Sequence, residues 1–88
     1  MGEHIGWIII DPSVELKIHT KHQLTAADVR EAFQWPAVAH GFWEDHEQHG
    51  LRYVVKGTNY AGRVIVGALE PVDVTDGTWA LRTARAGT

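Results

Sequence analysis

The sequence predicts an α+β fold, with a short N-terminal strand and two helices packed on one face of an antiparallel β-meander. Three observations predict it. Helix punctuation is confined to residues 11–36, the apolar period changes to two from residue 37 onward, and turn residues separate the later apolar runs. The chain has 88 residues, enough for one small domain with a thin core.

"GWIII", residues 6–10, is a short apolar strand candidate. Asp11 followed by Pro12 is a helix start, an N-cap acceptor before a proline at the first helical position. That helix carries Val14 and Ile18 inward and ends near His22, with Lys17, His19, Lys21 and His22 in its last turns. The partial negative charge of a helix C-terminus favours cations there. A second helix spans residues 25–34: Thr25 and Asp28 form a capping-box pattern, Val29, Ala32 and Phe33 make an apolar stripe, and Pro36 forbids continuation. Strands follow in "AVAHGFWED" (37–45), "LRYVVKG" (51–57), "GRVIVGAL" (62–69) and "TWALRTAR" (78–85), the last entered through the turn signal "TDG".

The hairpin "RYVVKGTNYAGRVIV" raises a question of charge. With Thr58–Ala61 as the turn, Lys56 opposes Arg63, Val54 opposes Ile65 and Arg52 opposes Gly67. Alternation then gathers Arg52, Lys56 and Arg63 on one half-open face, with Gly67 admitting a close approach. Tyr53, Val55, Val64, Val66 and Ala68 take the opposite, core-facing side. Like charges facing each other need compensation. Acids such as Glu44, Asp45 and Glu47 supply it in one reading, and a bound anion such as phosphate supplies it in the other.

Composition bounds the function. With no cysteine, a disulfide framework, a cysteine zinc knuckle and a thiol nucleophile are all excluded. "MGEHIGWIII" lacks a basic n-region and a long apolar run, so no signal peptide is expected, and no stretch approaches the roughly 20 apolar residues that span a bilayer. A soluble cytoplasmic protein is the expectation. The formal net charge of −3 places any nucleic-acid site in a local basic patch on an acidic body. Among six histidines, His46 and His49 with His40 upstream offer imidazoles near Glu44 and Asp45, but no helix signal aligns them and no metal is expected. Of the four tryptophans, Trp43 beside the acidic loop is the base-stacking candidate, and large apolar side chains in so small a domain otherwise build the core.

One order of short motifs runs through most of the chain: Lys21-His22, then the 25–34 helix, Arg52-Tyr53 with Gly57, Gly62-Arg63 before "VIVGAL", and Thr83-Ala84-Arg85. It resembles the BrnT-like toxins of bacterial type II toxin–antitoxin modules. The resemblance implies a RelE-like fold, a metal-independent endoribonuclease needing no cofactor, an RNA substrate, and a cognate antitoxin through which the protein oligomerises. Carried over on matching positions, Lys21 and His22 are the acid/base candidates, while Arg52, Arg63 and Arg85 bind and stabilise the phosphate. Lys56, from the face reading, joins Lys17 and Trp43 as RNA-binding candidates. The family pattern continues past "TAR" into a charged C-terminal helix, which is not expected here because the residues read "TARAGT", and "HGLR" stands where many relatives carry a glutamate before the arginine. Strict alternation sets Arg85 beside Trp79, Leu81 and Thr83 on the core side, so only a bend brings it to the basic face. The alternative reading is a non-enzymatic module of the same fold that binds an antitoxin or another partner.

Overall fold

The computed structural model describes residues 2–87. The chain runs β1 (Trp7–Ile9), α1 (Pro12–His22), α2 (Ala26–Phe33), β2 (His40–His46), β3 (Gly50–Thr58), β4 (Val64–Asp73) and β5 (Thr78–Ala86). Five strands form one sheet in the order β1-β5-β4-β3-β2. β2 to β5 are the expected antiparallel meander, but β1 lies parallel to β5 through Trp7–Thr78, Ile8–Trp79 and Ile9–Ala80. The sheet is therefore mixed. A parallel neighbour requires a crossover connection, and residues 10–77, both helices included, provide it.

Both helix starts form as their punctuation dictates. The Asp11 carboxylate accepts from Ser13 N–H at 2.9 Å, and Pro12 opens α1. At α2 the capping box closes reciprocally: Asp28 N–H donates to Thr25 Oγ1 at 3.1 Å, and Thr25 N–H donates to Asp28 Oδ2 at 3.0 Å. Gln23, in the left-handed region at φ 55°, turns the chain out of α1.

One buried cluster joins the helices to the sheet. Ile18 of α1 and Val29, Ala32 and Phe33 of α2 meet Val55, Ile65, Leu69, Trp79, Leu81 and Ala84. α2 sits close on β3 and β4 because two glycines leave room: a Cβ on Gly57 would stand 2.2 Å from the Ala32 carbonyl oxygen, and one on Gly67 would stand 2.7 Å from the Phe33 ring. Gly67 thus admits a close approach, but from the core helix, on the side opposite to the expected one.

The β3–β4 register corrects the hairpin reading. Val54 opposes Ala68 instead of Ile65, a slip of three residues, and Lys56 opposes Val66 instead of Arg63. A three-residue loop, Tyr60–Gly62, causes it. Asn59 O accepts from Gly62 N–H at 3.0 Å, and Gly62 closes the loop at φ 87°, which a side chain would disfavour. An odd slip exchanges the faces of one strand relative to the other. Tyr53 and Val55 face the core as expected, yet Ile65, Gly67 and Leu69 join them, and Val64, Val66 and Ala68 move to the opposite face.

Candidate functional site

The face away from the core carries the basic side chains, in a different set from the expected one. β3 presents Arg52, Val54 and Lys56 there, alternating with buried Tyr53 and Val55. β5 presents Thr83 and Arg85. A register shift between Ala68 and Leu69 leaves Arg82 without an opposite residue, since Ala68 pairs with Thr83 and Leu69 with Leu81. The bulge switches the alternation after Leu81: Ala84 becomes the buried residue, and Arg85, opposite Val66, turns outward. This is the bend that strict alternation lacked.

α1 packs against β5 and brings its C-terminal end to this face. His22, Glu44, Arg52, Val54, Thr83 and Arg85 border a cavity of about 210 Å³. An adjoining cavity of about 200 Å³ is bordered by Lys17, His49, Arg52, Arg82 and Thr83, so Arg52 stands between the two. Lys17 and His22, five residues apart on one helix, thus reach neighbouring cavities, while Ile18 between them enters the core. Lys21 is exposed and borders neither cavity.

Of the three acids that the sequence offers to compensate the basic face, Glu44 is the one that does so. It lies in β2, directly opposite Arg52. Its Oε1 accepts from Arg52 Nε at 3.0 Å and sits 2.9 Å from Nη2. The signal was present in the spacing: Gly50, at φ 72°, closes the turn between β2 and β3 and sets Glu44 against Arg52.

Two expected members stand elsewhere. Arg63 precedes β4 and belongs to neither cavity. Its guanidinium donates to the carbonyls of His22 at 3.1 Å and Gln23 at 3.3 Å, which caps the C-terminal end of α1. A three-residue register slip separates it from Arg52 and Lys56, so the three do not converge. Trp43 alternates to the core side of β2 and joins an aromatic group, with ring centroids 5.2 Å from Tyr53 and 5.7 Å from Trp79. Its indole N–H donates to Glu3 at 3.3 Å.

Two histidines brace the turn between β2 and β3. His46 and His49 stack with centroids 4.5 Å apart, and His46 Nδ1 accepts from the backbone N–H groups of Gln48 and His49, which braces the β2–β3 turn. Among the described residues no group of three His, Cys, Asp or Glu side chains is arranged to hold a metal ion. Among those residues, too, no helix is long and apolar enough to cross a membrane.

Charge compensation on the face is uneven. Glu44 pairs with Arg52, and Glu70 with Arg82 at 3.4 Å. Among the described residues no carboxylate pairs with Lys56 or Arg85, and the only side-chain hydrogen bond of Arg85 is to the Ala86 carbonyl at 3.4 Å. Arg85, beside the His22 imidazole, the Glu44 carboxylate and Arg52, completes a set that can bind a phosphodiester and move protons around it, while Lys56 stands on the same face outside both cavities. No family model, curated protein or solved structure matches the chain.

Proposed function

We propose that the protein is a toxin-like endoribonuclease of the BrnT kind, with a RelE-like fold, that cleaves RNA without a metal ion in the cavity between α1 and the open sheet face. The observation that carries the reading is the meeting of His22, Glu44, Arg52 and Arg85 at one cavity. The order of a short strand, two helices and an antiparallel run of strands agrees with it.

Cleavage needs three kinds of group, and each has a candidate. The ribose 2′-hydroxyl attacks the adjacent phosphorus, the P–O2′ bond forms, and the P–O5′ bond breaks. A 2′,3′-cyclic phosphate and a free 5′-hydroxyl result. Glu44 accepts the 2′-hydroxyl proton, and His22 in its protonated form donates one to the departing O5′. Arg85 and Arg52 bind the equatorial oxygens of the phosphorane, where preorganised donors act most strongly on developing charge. Lys17 stands at the adjoining cavity, toward a neighbouring phosphate. Lys21 and Arg63 have no part in these steps, and Arg63 instead holds the helix end that carries His22.

The same face, covered by a cognate antitoxin, would be inactive. The half-apolar patch of Phe42, Val54 and Val66 gives such a partner a surface to bury, and a partner-binding role without catalysis is the second reading. The test is incubation of the purified chain with an RNA oligonucleotide in excess chelator, beside the same oligonucleotide carrying one 2′-deoxy position. Cleavage to a 2′,3′-cyclic end that stops at the deoxy position supports the ribonuclease. No cleavage of either leaves the partner-binding reading.

A further inference from the structure

The ladder registers draw two rows across the open face, and each has its own chemistry. Four positions align in the first row: His40 opposes Lys56, Lys56 opposes Val66, and Val66 opposes Arg85. Four more align in the second: Phe42 opposes Val54, Val54 opposes Ala68, and Ala68 opposes Thr83. The first row is basic and the second apolar. Neighbouring strands lie about 4.8 Å apart, and positions two residues apart on one strand about 6.7 Å apart. From Lys56 to Arg85 is therefore about 10 Å across two strand spacings, and the rows are separated by one side-chain repeat.

Phe42 is the member of the apolar row that offers a ring to solvent, at 60% exposure. Its position singles it out among the exposed hydrophobic residues. It sits between His40 and Glu44 on β2, opposite Val54, and so is diagonal to both Lys56 and Arg52. Those diagonals are about 7–8 Å, within the reach of one nucleotide between its phosphate and its base. Trp43, the aromatic next to it in sequence, lies on the opposite face beside Tyr53 and Trp79, away from this row.

We propose that single-stranded RNA crosses the strands of this face, its phosphates on the row His40–Lys56–Arg85 and one base stacked on Phe42. The inference rests on the ribonuclease reading and adds to it a direction for the strand and a platform for one base. Single-stranded nucleic acid is held by this combination of a cationic track and an aromatic platform. Lys56 and Arg85, without carboxylate partners among the described residues, supply the charge complementarity. Phe42 fixes the base beside the cavity that holds Arg52 and Glu44, which sets the register of the cleaved phosphate. The stack accepts any base, with the larger purine faces favoured.

The test is a binding titration with a fluorescent eight-nucleotide RNA made uncleavable by 2′-O-methyl groups, followed by fluorescence anisotropy. Phe42→Ala is expected to weaken binding by about tenfold, the loss of one base–aromatic stack, while Phe42→Tyr retains it. An abasic substitution scanned along the oligonucleotide should cost wild type about the same at one position and cost Phe42→Ala nothing there. Lys56→Gln should reduce the slope of log affinity against log salt by about 0.7, one single-strand phosphate contact, and Phe42→Ala should leave that slope unchanged. Equal binding by wild type and Phe42→Ala, with Arg85→Ala weakened, would overturn the stacking platform alone and leave the cleavage site standing. Absence of RNA binding by wild type, with binding of an acidic peptide such as oligoglutamate instead, would overturn both.

Discussion

Glu44 and Arg52 face each other across the β2–β3 ladder, the carboxylate oxygen receiving Nε at 3.0 Å and lying 2.9 Å from Nη2. The pair is half open to solvent, with side-chain exposures of 22% for Arg52 and 37% for Glu44. Exposed pairs of this kind are worth about 0.2–1 kcal/mol. Glu44→Gln should therefore leave the melting temperature within a few degrees of wild type. If Glu44 is the proton acceptor, the same change lowers the cleavage rate about 100-fold or more. Thermal melts and single-turnover cleavage on one preparation separate the two effects.

Arg63 behaves oppositely. Its guanidinium caps the last carbonyls of α1, and Arg63→Ala should cost about 1 kcal/mol, less than a buried charge-assisted bond because the side chain is exposed. In a domain of this size that lowers the melting temperature by about 4–8 °C. Cleavage per folded molecule, measured well below the transition, should change far less than in Glu44→Gln. A large rate loss without a change in melting temperature would return Arg63 to the chemistry.

Gly57 tests the close seating of α2. A methyl group there meets the Ala32 carbonyl oxygen at 2.2 Å, a backbone atom that cannot rotate aside. Gly57→Ala should destabilise the fold by about 1–3 kcal/mol or more. Urea unfolding measures it, and an unchanged midpoint would mean that α2 does not sit as described.

Asp28 links stability to pH. The Thr25 backbone N–H, with Asn59 and the Thr25 hydroxyl, holds its carboxyl below the ordinary 3.8 against an opposing effect of burial. Its folded value lies below its unfolded one, so its contribution is full above about 3.8 and is lost as pH falls through the lower folded value. Asp28→Asn should lower stability at neutral pH and flatten the loss of stability as pH falls from about 3.8 through the lower folded value. Parallel slopes for both proteins would contradict the capping role.

Local signals were the legible part of the fold. Asp11-Pro12 and the Thr25–Asp28 box set both helix starts, because capping chemistry acts within four residues. Non-local geometry was less legible. The slip between β3 and β4 turned on whether Asn59 and Arg63 pair, a choice between three-residue and four-residue loops that the alternation of Val64, Ile65 and Val66 does not decide. The bulge at Arg82 reversed the expected side of Arg85 for a similar reason, since one unpaired residue leaves no mark in "TWALRTAR". Of the site, His22, Arg52 and Lys56 emerged from the sequence on the face where they stand. Glu44 emerged there only as one of three acids able to offset the basic face, because which of them pairs with Arg52 is decided by the residue opposite it in the ladder.

The central claim is that a phosphodiester is broken at the cavity bordered by His22, Glu44, Arg52 and Arg85. Its most direct measurement is single-turnover cleavage of RNA in chelator by wild type, Arg85→Ala and Arg63→Ala, each confirmed folded by its melting curve. The account predicts that wild type and Arg63→Ala cleave at comparable rates per folded molecule, and that Arg85→Ala is slower by about 100-fold, the loss of one donor to the developing phosphorane. Equal rates for wild type and Arg85→Ala, or cleavage that disappears when chelator is added, would contradict it.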